Sequence, residues 1–265
     1  MKHWNWLAAA VLTVALCGCG TFRDAVGKKT DKKERKAWKI TPVTVSTIAE
    51  EFRLDGKLDD AVWKKAVRYP LHRTAVKQVP LTEARIARDG FEKGYAMFAK
   101  DDKYLYVAAN FTDSDVLQFL KEDQGKLWRY GDLLEVFLRT DKAPGYWELF
   151  ASPFGNKSSI FFHSPGMKVF DNTFRELPGM AVASHVQGTV NKHDDIDQGW
   201  TTEMRIPIAE VEKACGAEFS GDGQWFILAA RYNYGKSFRM EQNSTYPKLP
   251  QLQYHLLEYY APLKF

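Results

Sequence analysis

The chain has 265 residues, of which 14% are aromatic and 26% charged, and its formal net charge is +4. The positive charge is confined to the amino-terminal part, because residues 23–39 carry a net +5 and Lys2 adds one, which leaves −2 for residues 40–265. A basic stretch without a series of aromatic rings between its charges is typical of a solvated tether and excludes a nucleic-acid surface. We therefore expect no nucleic-acid partner.

Residues 1–19 have the features of a secretory signal. A short basic start precedes an apolar run at residues 6–16, which is too short to span a bilayer. The run ends in Leu16-Cys17-Gly18-Cys19, which resembles the lipobox of bacterial lipoproteins, with Cys19 as the lipidated residue. A non-lipidated signal peptide and an anchor helix are the alternatives.

The lipobox resemblance implies a lipid-anchored protein of the bacterial cell envelope, whose membrane partner is reached through Cys19. Gly20 follows this cysteine in place of the Asp that often retains lipoproteins in the inner membrane, so the outer membrane is favoured. Residues 20–39 are then a basic flexible tether, which can lie along anionic lipid.

Cysteine usage excludes a disulfide framework. The three cysteines are Cys17, Cys19 and Cys215. Once the first is removed and the second lipidated, Cys215 has no cysteine left to pair with in a disulfide or a metal site. We predict that Cys215 is a small buried apolar residue and that the protein is a monomer.

Residues 40–265 read as short strands separated by turns rich in Gly, Pro and Asp. A short helix at residues 61–66 follows the Asp55-Gly56 turn and places Trp63 as a core residue. A second short helix is predicted at residues 209–214. The strands and closing stretches are predicted at residues 40–47, 95–99, 104–111, 133–138, 145–152, 158–163, 181–190, 199–207, 224–233, 251–255 and 259–265.

The order of these elements predicts the fold class. Strands dominate, helices are one or two turns long, and the βαβ rhythm of parallel sheets is absent. Residues 40–265 are therefore predicted to be one all-β domain, an antiparallel β-sandwich with a few short helices.

The loop and strand at residues 126–138 carry the candidate site. Trp128 lies on the loop. In the next strand, Glu135 and Phe137 share one face and alternate with apolar residues on the other. On the strand at 145–152, Glu148 and Phe150 are predicted to lie beside Glu135. Aromatic rings stack on sugar C–H faces, and a carboxylate accepts hydrogen bonds from hydroxyls. An ordinary amphipathic strand gives the same pattern.

The order of motifs resembles family 9 carbohydrate-binding modules, which are similar in fold to DOMON-type sandwiches and to immunoglobulin-like or jelly-roll folds. The stretches that carry the resemblance are residues 54–63 (LDGKLDDAVW), 105–113, 131–137, 199–207 and the closing aromatic stretch. Together they span most of residues 50–265. The resemblance implies non-catalytic binding of an oligo- or polysaccharide, accessory to polysaccharide capture or catabolism.

The family clamps a sugar between two aromatic rings. By resemblance the rings are Trp128 and Tyr254, and Phe150 stands where the family has an arginine. Arg231 is a hypothesis for the replacement cation, pointing into the same groove. The predicted carbohydrate-binding residues are Trp128, Glu135, Tyr254, Gln251, Arg231 and Glu148.

Three alternatives remain open for the function. A glycosidase needs two carboxylates roughly 5–9.5 Å apart, and Glu135 with Glu148 are the candidates. A DOMON-like haem or redox domain needs an axial pair, for which the sequence offers scattered candidates. These candidates are His163, His185, His255, Met97 and Met204. The third alternative is a structural envelope lipoprotein with a vestigial groove.

The loop after residue 112 contains a candidate metal site. Asp113 and Asp115 stand two residues apart, and calcium prefers such carboxylate oxygens. Ordinary turn chemistry is the alternative. These carboxylates suggest structural calcium as a cofactor.

Overall fold

The computed structural model describes residues 40–74, 90–167, 175–236, 238 and 241–265. Residues Ile40–Phe265 form one compact unit. Within its described parts no helix is long and apolar enough to cross a membrane. The predicted signal peptide, the lipidation site at Cys19 and the tether lie outside the described residues and stay predictions.

The described residues form fourteen strands and two α-helices. Helix α1 is Ala61–Lys65 and helix α2 is Ile208–Cys215, while 3-10 turns cover Leu127–Arg129 and Leu257–Tyr259. The strands are β1 Val43–Thr44, β2 Ser46–Thr47, β3 Tyr69–Pro70, β4 His72–Arg73, β5 Gly94–Lys100, β6 Tyr104–Thr112, β7 Leu133–Thr140, β8 Tyr146–Ala151, β9 Lys157–Phe162, β10 Ala181–Gln187, β11 Gly199–Pro207, β12 Trp225–Asn233, β13 Gln242–Tyr246 and β14 Ala261–Lys264.

The strands form two sheets that pack as a sandwich. In the larger sheet the order is β1-β14-β12-β7-β8-β9, with β13 pairing β12 and β4 pairing β13. In the smaller sheet the order is β10-β11-β6-β5-β2, with β3 pairing β5. The predicted antiparallel β-sandwich is confirmed, although β1 with β14 and β2 with β5 pair in parallel over two residues each.

Three clusters of buried apolar residues follow from the alternation of side chains along the strands. The main core lies between the sheets and contains, for example, Val107 from the smaller sheet and Val136 from the larger. A second cluster covers the outer face of the larger sheet, and a third covers the outer face of the smaller sheet. The larger sheet therefore has apolar side chains on both faces.

Helix α1 closes the outer face of the smaller sheet through Trp63. The indole ring is buried, as predicted, and its Nε1 donates a 2.6 Å hydrogen bond to Oε1 of Glu203 on β11. The other oxygen of Glu203 accepts hydrogen bonds from the backbone N–H groups of Asp55 and Gly56, at 2.9 and 2.7 Å. Gly56 has φ +80°, so the predicted turn requires a glycine. One carboxylate thus joins the turn, the helix and the sheet.

Several sequence-based boundaries differ from the structure. The strand predicted at residues 40–47 is interrupted at Val45, whose N–H donates to the carbonyl of Lys264 on β14. The stretch 251–255 is not a strand but a run of bends and turns, and β13 was not predicted. The prediction for Cys215 is confirmed, because its side chain is buried in the main core and its thiol is free.

Candidate functional site

The outer face of the larger sheet carries most of the predicted site. Strand β7 pairs with β8 so that Glu135 lies opposite Phe150 and Phe137 lies opposite Glu148. On the other side of β7, strand β12 places Ala230 opposite Glu135. Directly opposite residues share a face in an antiparallel pair. The predicted alternation on β7 and β8 is therefore confirmed.

Trp128 lies over this face as a stacked ring. It follows Leu127 in a 3-10 turn and is partly exposed. The indole stacks on Phe150 with ring centroids 5.1 Å apart and an interplanar angle of 24°. Phe150 is fully buried, so the phenylalanine that stands at the family's arginine position serves as the base on which Trp128 rests.

The loop before Trp128 is held against the edge strand β9. The backbone N–H of Gln124 donates to the carbonyl of Lys157 at 2.8 Å, and the Ser158 hydroxyl donates to the carbonyl of Gly125 at 2.7 Å. Asp123 and Lys157 add an ion pair at 3.0 Å. These contacts hold the loop against β9 and thereby fix the position of the Trp128 indole.

The start of β7 is fixed by Gly131 and Asp132. Gly131 has φ +147°, and a Cβ there would collide with the carbonyl oxygen of Leu117, so only glycine fits. The buried Asp132 side chain accepts hydrogen bonds from the backbone N–H groups of Leu117 and Tyr234, both at 2.6 Å. Burial raises the pKa of Asp132 well above its usual value, and the negative charge of Asp113 raises it further.

Glu135 and Glu148 form a buried acid pair at the centre of the face. Glu135 is 2% exposed and Glu148 is 6% exposed. Burial raises the pKa of Glu135 well above its usual value, and the charge of Glu148 acts in the same direction. Within the described structure, the Oε2 atom of each glutamate is buried without a hydrogen-bond partner. The pair therefore has two buried acceptor atoms that are not used, and the raised pKa favours the protonated form of Glu135.

Residues 247–260 connect β13 to β14 and pack over the acid pair; we call them the cover segment. Leu249, Tyr254 and Tyr260 from this segment are buried in the second cluster, and Leu252 and Leu257 pack against it. The sequence analysis did not predict this cover. The only hint was the density of leucine and tyrosine in a stretch without strand alternation.

The predicted clamp of Trp128 and Tyr254 is not formed, which corrects the sequence-based geometry. Tyr254 is 5% exposed, and its ring packs edge-on against Tyr232 at 5.5 Å and Phe137 at 6.3 Å. Its hydroxyl donates a 2.8 Å hydrogen bond to Asn243. Tyr254 is thus packed as part of the cover and not open to a ligand in this arrangement.

Gln251 also lies on the cover segment. Its side chain is partly exposed. Its backbone carbonyl oxygen accepts a 2.8 Å hydrogen bond from the backbone N–H of Gln253. The structure therefore brings Trp128, Glu135, Glu148, Tyr254 and Gln251 to one side of the larger sheet. Whether they bind sugar stays a prediction.

Arg231 does not point into the groove, so this hypothesis is wrong. Because side chains alternate along β12, Ala230 faces Glu135 and Arg231 faces the interior between the sheets. Its guanidinium pairs with Asp113 at 2.9 Å, donates to Asn233 at 2.8 Å and lies 4.7 Å from the ring centre of Phe111. Arg231 is a buried structural cation.

The geometry does not fit calcium at Asp113 and Asp115. One oxygen of Asp113 pairs with the cation of Arg231, and the other accepts from the Asp115 backbone N–H at 3.1 Å. The Asp115 carboxylate accepts from Nδ1 of His193 at 3.0 Å and from the Lys236 backbone N–H at 2.8 Å. In the part of the chain that the structure describes, no three acidic, histidine or cysteine side chains form a group that could hold a metal.

The candidate haem ligands lie in different environments, because the histidines are exposed and the methionines are buried. His163, His185 and His255 are exposed, whereas Met97 is buried in the third cluster and Met204 in the main core. The Nδ1 atom of His255 instead lies 2.9 Å from the hydroxyl of Tyr146. The axial pair that a DOMON-like haem domain needs is not formed by these five residues.

Two exposed rings near Trp128 were missed by the sequence analysis. Gln118 and Gly131 form an antiparallel bridge, and the next residues along, Phe119 and Tyr130, are joined by a 2.8 Å backbone hydrogen bond. Both are large exposed hydrophobic residues. The pairing is non-local, so their neighbourhood is visible only in the folded chain.

Comparison with known proteins identifies the fold. No protein-family model matches the chain, and no curated protein matches it. A candidate carbohydrate-binding protein from Bacteroides uniformis is similar in structure, with a TM-score of 0.60 and 12% identity, over 83% of this chain and 97% of that chain.

Two further similar structures are of a family 9 carbohydrate-binding module from Caldicellulosiruptor kristjanssonii. The cellotriose complex has a TM-score of 0.51 and 12% identity, over 84% of this chain and 93% of that chain. The glucose complex has a TM-score of 0.53 at the same identity, over 84% and 95%. The domain is therefore a β-sandwich with the fold of family 9 carbohydrate-binding modules.

Proposed function

We propose that residues 40–265 bind an oligo- or polysaccharide without acting on it, as the folded part of a lipid-anchored lipoprotein of the bacterial cell envelope. The outer membrane is the favoured address, and capture or catabolism of polysaccharides is the favoured role. The observation that carries the proposal is the partly exposed Trp128 ring, stacked on Phe150 beside the Glu135–Glu148 pair. Such a ring is a platform for the apolar face of a sugar.

The similar structures support a saccharide as the ligand class. Two of them are complexes with glucose and with cellotriose. We therefore propose gluco-configured saccharides as the first ligands to test on this domain.

The arrangement of the acid pair supports a non-catalytic role. The two carboxyl groups of a glycosidase stand roughly 5 Å or more apart, so that the scissile bond fits between them. Glu135 and Glu148 instead lie buried beneath an apolar cover. In this arrangement neither carboxyl group can reach a glycosidic bond.

Replacement of the platform ring tests the proposal. Stacking of one ring is worth about 1–3 kcal/mol, so Trp128→Ala should weaken glycan binding by about fivefold to about a hundredfold. Binding is measured by glycan array and calorimetry on residues 40–265, with and without calcium. Phe265→Ala is the matched control, because this exposed ring packs against Phe219 away from the acid pair and should leave the affinity unchanged. Equal binding by Trp128→Ala and wild type would contradict the site.

A second candidate function is a structural envelope lipoprotein whose groove is filled. The burial of Glu135, Glu148 and Tyr254 favours it, because a groove for sugar needs these groups to be reachable. Failure of the wild-type domain to bind any glycan on the array would favour this candidate.

A further inference from the structure

The cover segment lies where a ligand of the acid pair would have to enter. It starts after β13 and ends at β14, both of which pair with β12 in the larger sheet. Between these fixed ends it crosses the second cluster, with Leu249 and Tyr254 buried against the sheet. Glu135 and Glu148 are reached only when this segment moves.

The cover segment does not join the sheet as a strand. Its described backbone-to-backbone hydrogen bonds link residues only two or three positions apart, at 251–253, 253–256, 256–259 and 257–260. Side-chain contacts to the sheet include the hydrogen bond from Tyr254 to Asn243 and the 2.9 Å contact between Nδ1 of His255 and the Tyr146 hydroxyl. A segment without ladder bonds to its neighbours opens at a lower free energy than a strand does.

Two acceptors below the cover are unsatisfied in the closed arrangement. The Oε2 atoms of Glu135 and Glu148 are buried without a hydrogen-bond partner in the described structure. A buried polar atom without a partner destabilises the state that contains it. A ligand that donates hydrogen bonds to both atoms therefore stabilises the open state relative to the closed one.

We propose that the cover segment is a lid that opens about its ends at β13 and β14, and that the ligand which replaces it presents two adjacent hydroxyl groups to the Glu135–Glu148 pair. Adjacent hydroxyls on one ring match two neighbouring acceptors on one sheet face, and a saccharide supplies them. The aromatic rings that the lid packs against, including Phe137 and Tyr232, then contact the sugar. This inference rests on the proposed carbohydrate-binding function and adds the step that makes the site reachable.

The variant Tyr254→Phe tests the lid. It removes the hydrogen bond to Asn243 and keeps the ring, so the closed state is weakened while the packing of the cluster is retained. When the competent open state becomes more populated, the apparent dissociation constant falls in proportion. We expect about fivefold tighter binding of a gluco-oligosaccharide in calorimetry, the ratio that corresponds to one hydrogen bond.

Tyr246→Phe is the matched control. The Tyr246 hydroxyl also donates one hydrogen bond, to the carbonyl of Thr41 at 2.9 Å, but this side chain belongs to the main core. The control should bind with wild-type affinity. A change of equal size in both variants would assign the effect to stability of the whole domain and overturn the lid.

Hydrogen exchange measured by mass spectrometry supplies the second readout. Without ligand, the amides of residues 247–260 should exchange faster in Tyr254→Phe than in wild type, while those of β7 and β8 stay protected. Addition of the oligosaccharide should increase exchange in the cover segment. Binding that leaves its exchange unchanged, or that protects it, overturns the lid and leaves the proposed function in place. Absence of binding by both wild type and Tyr254→Phe overturns the proposed function itself.

Discussion

At the scale of single residues, the acid pair controls the chemistry of the site. Glu135 and Glu148 lie diagonally across β7 and β8, among the rings of Phe137 and Phe150. Burial, and then the charge of Glu148, raises the pKa of Glu135 and so favours its protonated form. Because the surroundings are apolar, ionisation of Glu135 would place a second negative charge near Glu148 in a medium of low dielectric constant.

This arrangement predicts the pH dependence of stability. The ordinary pKa of a glutamate is 4.5, and in the folded state that of Glu135 is raised well above it. The stability contributed by Glu135 is therefore complete below about pH 4.5 and is lost as the pH rises toward the raised pKa. The loss is about 1.4 kcal/mol per pH unit over the window in which the folded state alone holds the proton.

The variant Glu135→Gln has no carboxyl group at this position, so the loss of stability that comes from ionising Glu135 should disappear. We expect it to lose less stability than the wild type as the pH rises above about 4.5, measured by urea unfolding at each pH. Glu122→Gln changes the same group on an exposed loop and should leave the wild-type pH profile unaltered. Identical profiles for Glu135→Gln and wild type would contradict a raised pKa of Glu135 in the folded state.

At the scale of elements, the contacts between distant segments decide the architecture. The α1 helix has five residues and is too short to be stable alone. It is held because Trp63 enters the third cluster and donates to Glu203, which also accepts from the turn at Asp55 and Gly56. The Glu203 carboxylate on β11 therefore holds in place both helix α1 and the turn that precedes this helix.

Removal of that acid is expected to detach the helix. Glu203→Ala leaves one indole N–H and two backbone N–H groups without their acceptor, so the free energy of unfolding should fall by about 3 kcal/mol in urea titration. Glu51→Ala, on an exposed side chain of the same region, should change it by less than about 0.5 kcal/mol. A loss below 1 kcal/mol for Glu203→Ala, on the order of an ordinary surface change, would contradict this role.

At the scale of the whole molecule, charge and hydrophobicity divide the chain into two parts. Residues 40–265 carry a formal net charge of −2, and the preceding residues 23–39 carry +5. A basic stretch next to a lipid anchor adds electrostatic attraction to anionic lipid, and one lipid signal alone binds weakly. The proposed anchor at Cys19 and the tether would thus act together.

Lipidation at Cys19 predicts where the protein is found in the cell. Cys19→Ala should abolish incorporation of labelled palmitate and move the protein from the membrane to the soluble fraction. Cys17→Ala is the matched control, two residues away, and should remain labelled and membrane-bound. Palmitate labelling of Cys19→Ala would contradict the proposed anchor.

The sequence by itself determined the fold class, most strand positions, the faces of β7 and β8 and the burial of Trp63 and Cys215. These properties depend on alternation and on apolar side chains close in sequence, which are local. The sequence could not decide whether Ala230 or Arg231 shares the face of Glu135, because this register is set by pairing with β7. The structure places Ala230 on that face and Arg231 on the opposite one.

Only the tertiary structure decided whether the outer face of the larger sheet is open. That depends on where residues 247–260 pack, and the contact of Tyr254 with Phe137 joins parts of the chain about a hundred residues apart. Tyr254 has the same sequence neighbours whether its ring faces a ligand or fills a cluster. Tyr254 is buried because the cover segment and the sheet beneath it remove apolar surface from water when they pack together. No local sequence pattern encodes that packing.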